Sequence, residues 1–258
     1  AIRSRGLGDV YKRQEQKEVF EIRKAGLNIL MSMKGDKKPV AFIEDCAVSL
    51  DHLAEYTARL KEIFKKYNTS GMFYAHASVG TLHIRPVLNM KSDEDIKNMK
   101  SISEEAFQMV KGYKGSHSGE HGDGIVRSEF HEMMFGKKIV SAFEEIKDTF
   151  DNKNLLNPGK IVKPHKSNDR SLMRYKTGYK ANNISTHYDW SNWGQFSDAV
   201  EMCNNNGACR KLDSGVMCPS YRVTKEEKDL VRGRANTLRL ALSNQLPEGS
   251  FASKEMYE

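Results

Sequence analysis

Histidine and glutamate residues in two separate segments are the first candidates for chemistry in this sequence. His76 and His83 are seven positions apart, and Glu120 stands beside His121 in a glycine-rich stretch. Two imidazoles and one carboxylate can hold a divalent metal such as zinc and leave one coordination position open. Such a metal can bind a hydroxyl group and lower its pKa, and a neighbouring histidine can then take the proton.

Each segment taken alone has an ordinary structural explanation. Two histidines at this spacing are more often partly buried side chains than a metal pair. A stretch rich in glycine is often a flexible surface turn. The expectation of a metal site therefore depends on the two segments meeting in the fold.

A predicted β-hairpin indicates how the two histidines would approach each other. Residues 72–77 and 82–88 have the composition of strands, and Val79-Gly80 lies between them. Because side chains alternate along a strand, His83 and Arg85 share one face of the second strand. The other face is apolar and is formed by Leu82, Ile84 and Leu88.

Further elements are predicted around this hairpin. Apolar residues at helical spacing predict helices over 18–33, from Ser49, from Ser92 and over 131–150, and a strand is expected over 39–48. Because helices alternate with strands while one strand pair is a hairpin, the sequence predicts an α+β fold. We expect a mostly antiparallel sheet with helices on one face, followed by a small, mainly helical segment.

The composition of the 258 residues is that of a polar globular protein. Hydrophobic residues make up 38% and charged residues 29%, which allows a core and one or two domains. No apolar run reaches the roughly 18 residues of a membrane span, so any membrane contact would be peripheral. The net charge of +7 fits a solvated, lysine-rich surface and, secondarily, attraction to anionic substrates. No stripe of basic residues indicates nucleic-acid binding.

Three of the four cysteines lie close together in the last third of the chain. Cys203, Cys209 and Cys218 are spaced neither as a zinc ribbon nor as a complete ferredoxin run, although Cys218-Pro219 matches the end of that run. Such clustering indicates metal binding in a reducing, cytoplasmic compartment rather than disulfides. Cys46 stands in an apolar stretch and is expected to be a buried structural thiol.

The domain organisation is predicted from changes in composition. Residues 9–14 resemble the translation of a sequencing-transposon end, so we expect a non-native leader and a longer natural protein. Residues 164–184 have almost no apolar periodicity, which indicates a linker. The expected segments are a leader over 1–14, a substrate and metal domain over 15–163, a linker over 164–184 and a truncated iron–sulfur domain over 185–258.

Two motifs resemble the C-terminal domain of the FAD-linked oxidases, a family that includes D-lactate, glycolate and D-2-hydroxyglutarate dehydrogenases. Residues 75–83 are similar to a family motif close to G-H-x-G-D-G-N-L-H, and residues 115–124 to one close to S-x-E-H-G-x-G. The resemblance implies that His76, His83 and Glu120 are the metal ligands. It also implies that His121 is the general base. The turn at 156–160 is also similar, which implies that Asn157 lies near the flavin.

The resemblance also implies a reaction, with FAD, a divalent metal and a [4Fe–4S] cluster as cofactors. A D-2-hydroxy acid would be oxidised to its 2-oxo acid, with hydride transfer to the flavin and electron transfer to a quinone or carrier protein. Residues 203–239 resemble the iron–sulfur extension of some family members, which implies that Cys203, Cys209 and Cys218 are cluster ligands. A zinc hydrolase and a non-catalytic electron-transfer subunit are the alternatives.

Arg85 is the main departure from the family motif. Many members have an asparagine there that touches the substrate, whereas an arginine favours capture of a carboxylate. This substitution favours a dicarboxylic hydroxy acid as the substrate. The alternative, nearly as strong, is that Arg85 pairs with Glu120 or Asp123.

Overall fold

The chain forms two units in a computed structural model that describes residues 13–213, 215 and 217–257. One unit is Asp36–Tyr179, and the other combines the residues up to Gly35 with those from Lys180 onward. Most of the expected leader, residues 1–12, lies outside the described residues. The second division falls within the expected linker, and the domain bounds drawn from the sequence stay a prediction.

The central unit contains four strands and five helices among its described residues. In chain order these are β1 (Lys37–Pro39), β2 (Cys46–Ala47), α2 (Leu53–Lys66), β3 (Gly71–His76), β4 (Thr81–Asn89), α3 (Asp93–Gly112), α4 (Gly124–Arg127), α5 (His131–Phe135) and α6 (Lys137–Phe150), after α1 (Arg13–Met31) of the other unit.

Strand β4 is the centre of the sheet. It pairs along one edge with β3, and along the other edge with β1 and β2 in succession. These pairings are all antiparallel, with Tyr74 opposite His83 and Pro39 opposite Val87. The predicted hairpin and the antiparallel sheet are therefore confirmed in the described part of the chain.

The core lies between the sheet and helices α2 and α3. The core face of β4 contributes Ile84 and Leu88, and these pack in one cluster with Tyr56, Leu60 and Phe64 of α2 and with residues of α3. Burial of one such side chain contributes roughly 1.5–3 kcal/mol. The helices thus cover the apolar face of β4, and the face with His83 is left for other contacts.

Two predicted elements are interrupted. The strand expected over 39–48 is two short strands, because Asp45 adopts a left-handed conformation at φ +82° between them. The helix expected over 131–150 is broken at Gly136, which has φ +84° and separates α5 from α6. Left-handed backbone ends regular strands and helices alike.

The two helix starts predicted at serines differ. Ser92 caps α3, since its side chain accepts a hydrogen bond from the Asp95 amide. Ser49 precedes a 3-10 turn, Leu50–His52, and its side chain makes no capping hydrogen bond.

The first part of the expected linker packs on the central unit. The Ser167 amide donates to the Glu129 carboxylate at 2.7 Å, and Arg170 pairs with Asp93. Met173 packs against the core cluster. Because of these contacts, residues 164–179 follow the surface of the central unit although their sequence has no helical periodicity.

The other unit has only helices as regular elements among its described residues. Besides α1 they are α7 (Phe196–Glu201), α8 (Pro219–Thr224), α9 (Val231–Leu242) and α10 (Lys254–Tyr257). The core face expected on α1 is wrong at Val19 and Ile22, which are 57% and 69% exposed. No helix in the described ranges is long and apolar enough to cross a bilayer.

Candidate active site

The hairpin between β3 and β4 brings two histidines side by side. His76 ends β3, a 3-10 turn follows over Ala77–Val79, and Gly80 closes the turn at φ +73°. A Cβ atom at Gly80 would overlap the carbonyl oxygen of Val48, so the turn requires a glycine. The imidazole rings of His76 and His83 are 5.1 Å apart and nearly perpendicular.

The glycine-rich loop between α3 and α4 is attached to the sheet by backbone hydrogen bonds. Ser116 and Ala47 exchange two of them, at 2.8 and 2.9 Å, and the Gly119 amide donates to the Asp45 carbonyl at 2.7 Å. At Gly115 a Cβ atom would overlap the Ala47 carbonyl oxygen. The loop is therefore an ordered extension of the sheet edge rather than a flexible surface turn.

The carboxylate of Asp45 fixes the end of this loop. It is fully buried and accepts hydrogen bonds from the amides of Glu120, at 2.9 and 3.0 Å, and His121, at 2.7 Å. Backbone amides compensate the burial of a charged carboxylate. Asp45 thus sets the direction in which the side chains of Glu120 and His121 leave the loop.

Three imidazoles meet the carboxylate of Glu120 at one point. Its Oε1 atom lies 3.0 Å from Nε2 of His83, 3.3 Å from Nε2 of His76 and 3.5 Å from Nε2 of His121. The rings of His83 and His121 are stacked, with centroids 4.8 Å apart. We call His76, His83, Glu120 and His121 the open cluster, because three of its four side chains are 43–46% exposed.

A second buried carboxylate, Glu44, lies behind the open cluster. It pairs with Arg85 at 2.7 Å and accepts a hydrogen bond from the Tyr74 hydroxyl at 2.9 Å. Its Oε1 atom is 3.7 Å from Nδ1 of His83 and 4.0 Å from Nδ1 of His121. Glu44 therefore faces the Nδ1 side of both rings without a hydrogen bond, while their Nε2 atoms face Glu120.

The surroundings shift two pKa values at the site. Burial lowers the pKa of His83, and the charges of Glu44 and Glu120 offset this only in part. Burial and the hydrogen bond to Glu44 raise the pKa of the Tyr74 hydroxyl. His83 is therefore held as a neutral imidazole, which is the form that binds metals.

The donor atoms of the open cluster suit a divalent cation. Ligands about 2.0–2.1 Å from a tetrahedral zinc ion are about 3.3 Å from one another, close to the distances at Glu120 Oε1. Nδ1 of His83 is buried without a hydrogen bond. Oxygen atoms of Asp45 also lie near His83, Glu120 and His121, but backbone amides already occupy them.

Arg85 has an ion-pair partner that was not expected from the sequence. It was expected to bind a substrate carboxylate or to pair with Glu120 or Asp123, whereas in the structure it pairs with Glu44. Glu44 and Asp45 were both missed. The signal was present, because two adjacent acidic residues in an apolar stretch require partners when they are buried.

Asn157 lines a groove beside helix α6 of the central unit. It adopts φ +48° and borders a cavity of about 580 Å³ with apolar walls from Phe143, Ile146 and Phe150. Gly124, which follows the glycine-rich loop, lines the same cavity. The role of Asn157 beside a flavin stays a prediction.

The three clustered cysteines gather near the start of α9. The amide of Val231 donates to the sulfur of Cys218 at 3.4 Å, and Cys209 packs against the group that includes Cys218. The charge of Arg232 acts on both Cys203 and Cys209. Cys46 is buried in the central unit, as predicted, and burial raises the pKa of its thiol to about 12.

Comparisons with known proteins agree with these features. The C-terminal domain of FAD-linked oxidases matches residues 2–161. The chain is 35% identical over 222 residues to D-2-hydroxyglutarate dehydrogenase of Pseudomonas putida, which covers 86% of this chain and 22% of that protein. The Escherichia coli protein of the same name is 31% identical over 92% of this chain and 24% of its own length.

A more distant relative is a glycolate oxidase subunit of Bacillus subtilis. It is 28% identical over 151 residues, which are 57% of this chain and 31% of that protein. The chain spans about a quarter of the length of the D-2-hydroxyglutarate dehydrogenases that it matches.

Proposed function

Because the chain belongs to the FAD-linked oxidases, whose C-terminal domain it carries, we propose that it is the substrate-binding and metal-binding part of a flavin-dependent dehydrogenase. The enzyme would oxidise a D-2-hydroxy acid to the 2-oxo acid. The observation that carries this proposal is the convergence of His76, His83 and His121 on the carboxylate of Glu120. Relatives named D-2-hydroxyglutarate dehydrogenase favour a dicarboxylic substrate.

The open cluster divides into metal ligands and a base. His76, His83 and Glu120 would hold the divalent metal, which we propose to be zinc. When bound, the metal supplies a Lewis acid that lowers the pKa of a substrate hydroxyl. The ring of His121 is 43% exposed and stacks on His83, so it can accept the hydroxyl proton while Glu44 lies behind its Nδ1 atom.

The expected capture of a substrate carboxylate by Arg85 is weakened by its ion pair. Its pairing with Glu44 neutralises much of its charge. We therefore propose that Arg85 holds Glu44 in place behind the two imidazoles, and that any contact with a substrate carboxylate is additional. The dicarboxylic preference then depends on the relatives rather than on this arginine.

The groove beside Asn157 is proposed to receive the flavin. Its walls are apolar side chains of α6, and polar groups are few. When bound, FAD supplies the acceptor for the hydride that leaves the substrate Cα. An Asn157→Ala change in the complete protein should weaken FAD binding, and unchanged FAD affinity would remove Asn157 from this role.

The substrate is tested on the longest reading frame that contains this chain. Reduction of an artificial electron acceptor is measured with D-2-hydroxyglutarate, D-lactate, glycolate and L-2-hydroxyglutarate. We expect the highest kcat/KM with D-2-hydroxyglutarate. Activity with none of these acids, in a protein that contains flavin, would contradict the proposed function.

The role of His121 is tested in the same protein. A His121→Ala change should lower turnover by about a hundredfold or more while zinc content is retained, because general base catalysis is lost. His187→Ala is the matched control, since His187 is exposed and lies in the other unit. Unchanged turnover of the His121 variant would remove it from the mechanism.

We further propose that Cys203, Cys209 and Cys218 bind an iron–sulfur cluster whose remaining ligands lie elsewhere. Their gathering near the start of α9 supports this, because a helix N-terminus stabilises thiolates and other anions. Electrons would pass from the flavin through this cluster to a quinone or carrier protein.

The cluster is tested by iron and sulfide content after anaerobic purification of the complete protein. Cys218→Ser should lose iron, whereas Cys46→Ser, at a buried thiol of the central unit, should keep it. Absence of iron and sulfide from the wild-type protein would contradict this part of the proposal.

A further inference from the structure

Three titratable side chains that the open cluster does not use meet in the interior of the central unit. Nε2 of His117 lies 3.3 Å from Oδ1 of Asp123, and Nε2 of His131 lies 3.0 Å from Oδ2 of the same carboxylate. The side chains of His117 and His131 are 0% and 3% exposed. We call His117, Asp123 and His131 the buried cluster.

Hydrogen bonds among neutral side chains do not account for the buried cluster. Nδ1 of His131 lies 3.0 Å from the carbonyl oxygen of Ile161. A carbonyl only accepts, so Nδ1 donates, and in the neutral ring Nε2 then carries a lone pair. That lone pair faces the Asp123 carboxylate, which is repulsive unless either a proton on Nε2, which would donate to Asp123, or a metal ion lies between them.

Further buried atoms of the cluster have no hydrogen bond of good geometry. They are Nδ1 and Nε2 of His117, Nε2 of His131 and Oδ1 of Asp123. Buried polar atoms without partners are costly, so a ligand that engages several of them at once is favoured.

The ring arrangement of the buried cluster is similar to that of His76 and His83. The rings of His117 and His131 are 5.6 Å apart with an interplanar angle of 84°, against 5.1 Å and 82° for His76 and His83. The carboxylates differ, because Glu120 Oε1 faces both nitrogens of the open cluster, whereas each oxygen of Asp123 faces one nitrogen, at 3.3 and 3.0 Å. One ligand atom from each of His117, Asp123 and His131 still lies within 4.8 Å of the others, which leaves room for a single ion.

Aromatic rings surround the two imidazoles of the buried cluster. Phe107 packs edge-on against His117, and Phe135 contacts both histidine rings from the exposed side. The charge of the nearby Arg127 acts on His117 and Asp123, but its guanidinium donates to the backbone carbonyls of Glu44 and Gly122 and leaves the donor atoms of the buried cluster free for an ion. The site is thus closed to a substrate and suited to a structural ion.

We propose that His117, Asp123 and His131 form a second divalent-metal site, selective for zinc, with a water molecule as the fourth ligand. The donor set of two imidazoles and one carboxylate is one that zinc prefers. Asp123 is three residues from Glu120, so an ion here would hold the far end of the loop that carries the open cluster. This ion is structural and takes no part in the chemistry of the open cluster.

The test is zinc content by mass spectrometry of the 258-residue chain with serine at Cys203, Cys209 and Cys218, desalted after purification with zinc. We expect two zinc ions per chain in this background and one when His131→Asn is added, whose amide can still donate to Ile161. The double variant His76→Gln, Glu120→Gln should also retain one ion. The control His187→Asn should keep two. Equal zinc content in this background with and without His131→Asn, in the folded protein, would overturn the proposal and leave a proton-held network.

A second measurement leaves the buried cluster unaltered. The variant His76→Gln, Glu120→Gln changes two half-exposed side chains. It is combined with serine at Cys203, Cys209 and Cys218 and loaded with cobalt(II). We expect the visible absorption of tetrahedral cobalt at one equivalent, and its loss when His131→Asn is added. No such absorption in the folded protein would overturn the proposal even where His131→Asn fails to fold.

Discussion

The open and buried clusters both combine imidazoles with one carboxylate, but they differ in access to solvent. His76 and Glu120 are 44% and 46% exposed, whereas His117 and His131 are almost completely buried. A metal in the open cluster could accept a substrate at its free coordination position. The same donors in the interior can only stabilise the fold.

The two clusters share one loop. Glu120 and His121 extend from the loop toward the sheet hairpin, and His117 and Asp123 extend toward α5. The loop therefore lies between a site proposed for chemistry and a site proposed for structure. Under these two proposals, the position of a donor set in the fold separates a catalytic from a structural role, and its composition does not.

The largest difference is expected in the effect of zinc on stability. In the variant His76→Gln, Glu120→Gln, zinc at about a hundredfold excess over its dissociation constant should raise the free energy of unfolding by about 2.7 kcal/mol. Stability increases because zinc binds to the folded chain and not to the unfolded chain. Urea unfolding with zinc and with a chelator measures it, and addition of His131→Asn should abolish the response. A response that survives this change would mean that the ion binds elsewhere.

A smaller effect is expected when the support behind one cluster is altered. Glu44→Gln should weaken zinc binding to the open cluster by about 10- to 100-fold, because the carboxylate that orients His83 and His121 is lost. Zinc titration of His131→Asn, in which only the open cluster remains, measures this affinity.

The control for this prediction is Glu55→Gln, at an exposed carboxylate of α2. Tyr74→Phe removes one hydrogen bond to Glu44 and should have a weaker effect in the same direction. Equal zinc affinity in the Glu44 variant and the control would show that Glu44 does not support metal binding by the open cluster.

The smallest effect is expected from the residue that fixes the shared loop. Asp45→Asn should lower the free energy of unfolding by about 1.5 kcal/mol, because a neutral amide oxygen accepts more weakly than the carboxylate and the NH2 group that replaces the second oxygen cannot accept from the Glu120 amide. Urea unfolding measures this change. Asp51→Asn, at an exposed position, should leave stability unchanged. If Asp45→Asn lowered the zinc content of one cluster only, the two ends of the loop would be held independently of each other.

Much of the hairpin could be predicted from local sequence. Alternation of side chains separated His83 from Ile84, and a glycine was expected in the turn where Gly80 has φ +73°. Both are properties of neighbouring residues. The exposed apolar side chains of α1 could not be predicted, since helical spacing indicates a potential core face and not what covers it.

The supporting carboxylates could not be recognised without the fold. Glu44 and Asp45 lie in a stretch whose apolar neighbours predict a strand, and His121, which both carboxylates approach, is 77 and 76 residues away in the chain. His117 and His131 carry no spacing signal of their own, because they meet only through Asp123 and the break at Gly136.

The sequence alone determined the donor types, the hairpin and the resemblance of two motifs to one family, since these depend on residue identity and short-range spacing. Only the tertiary structure decided that three imidazoles share the carboxylate of Glu120, that Glu44 holds Arg85 and that a second donor set is enclosed by aromatic rings. Such contacts join residues far apart in the chain. They form because burial of the core brings the loop against the sheet edge, where the buried charge of Asp45 must be satisfied by the loop's amides.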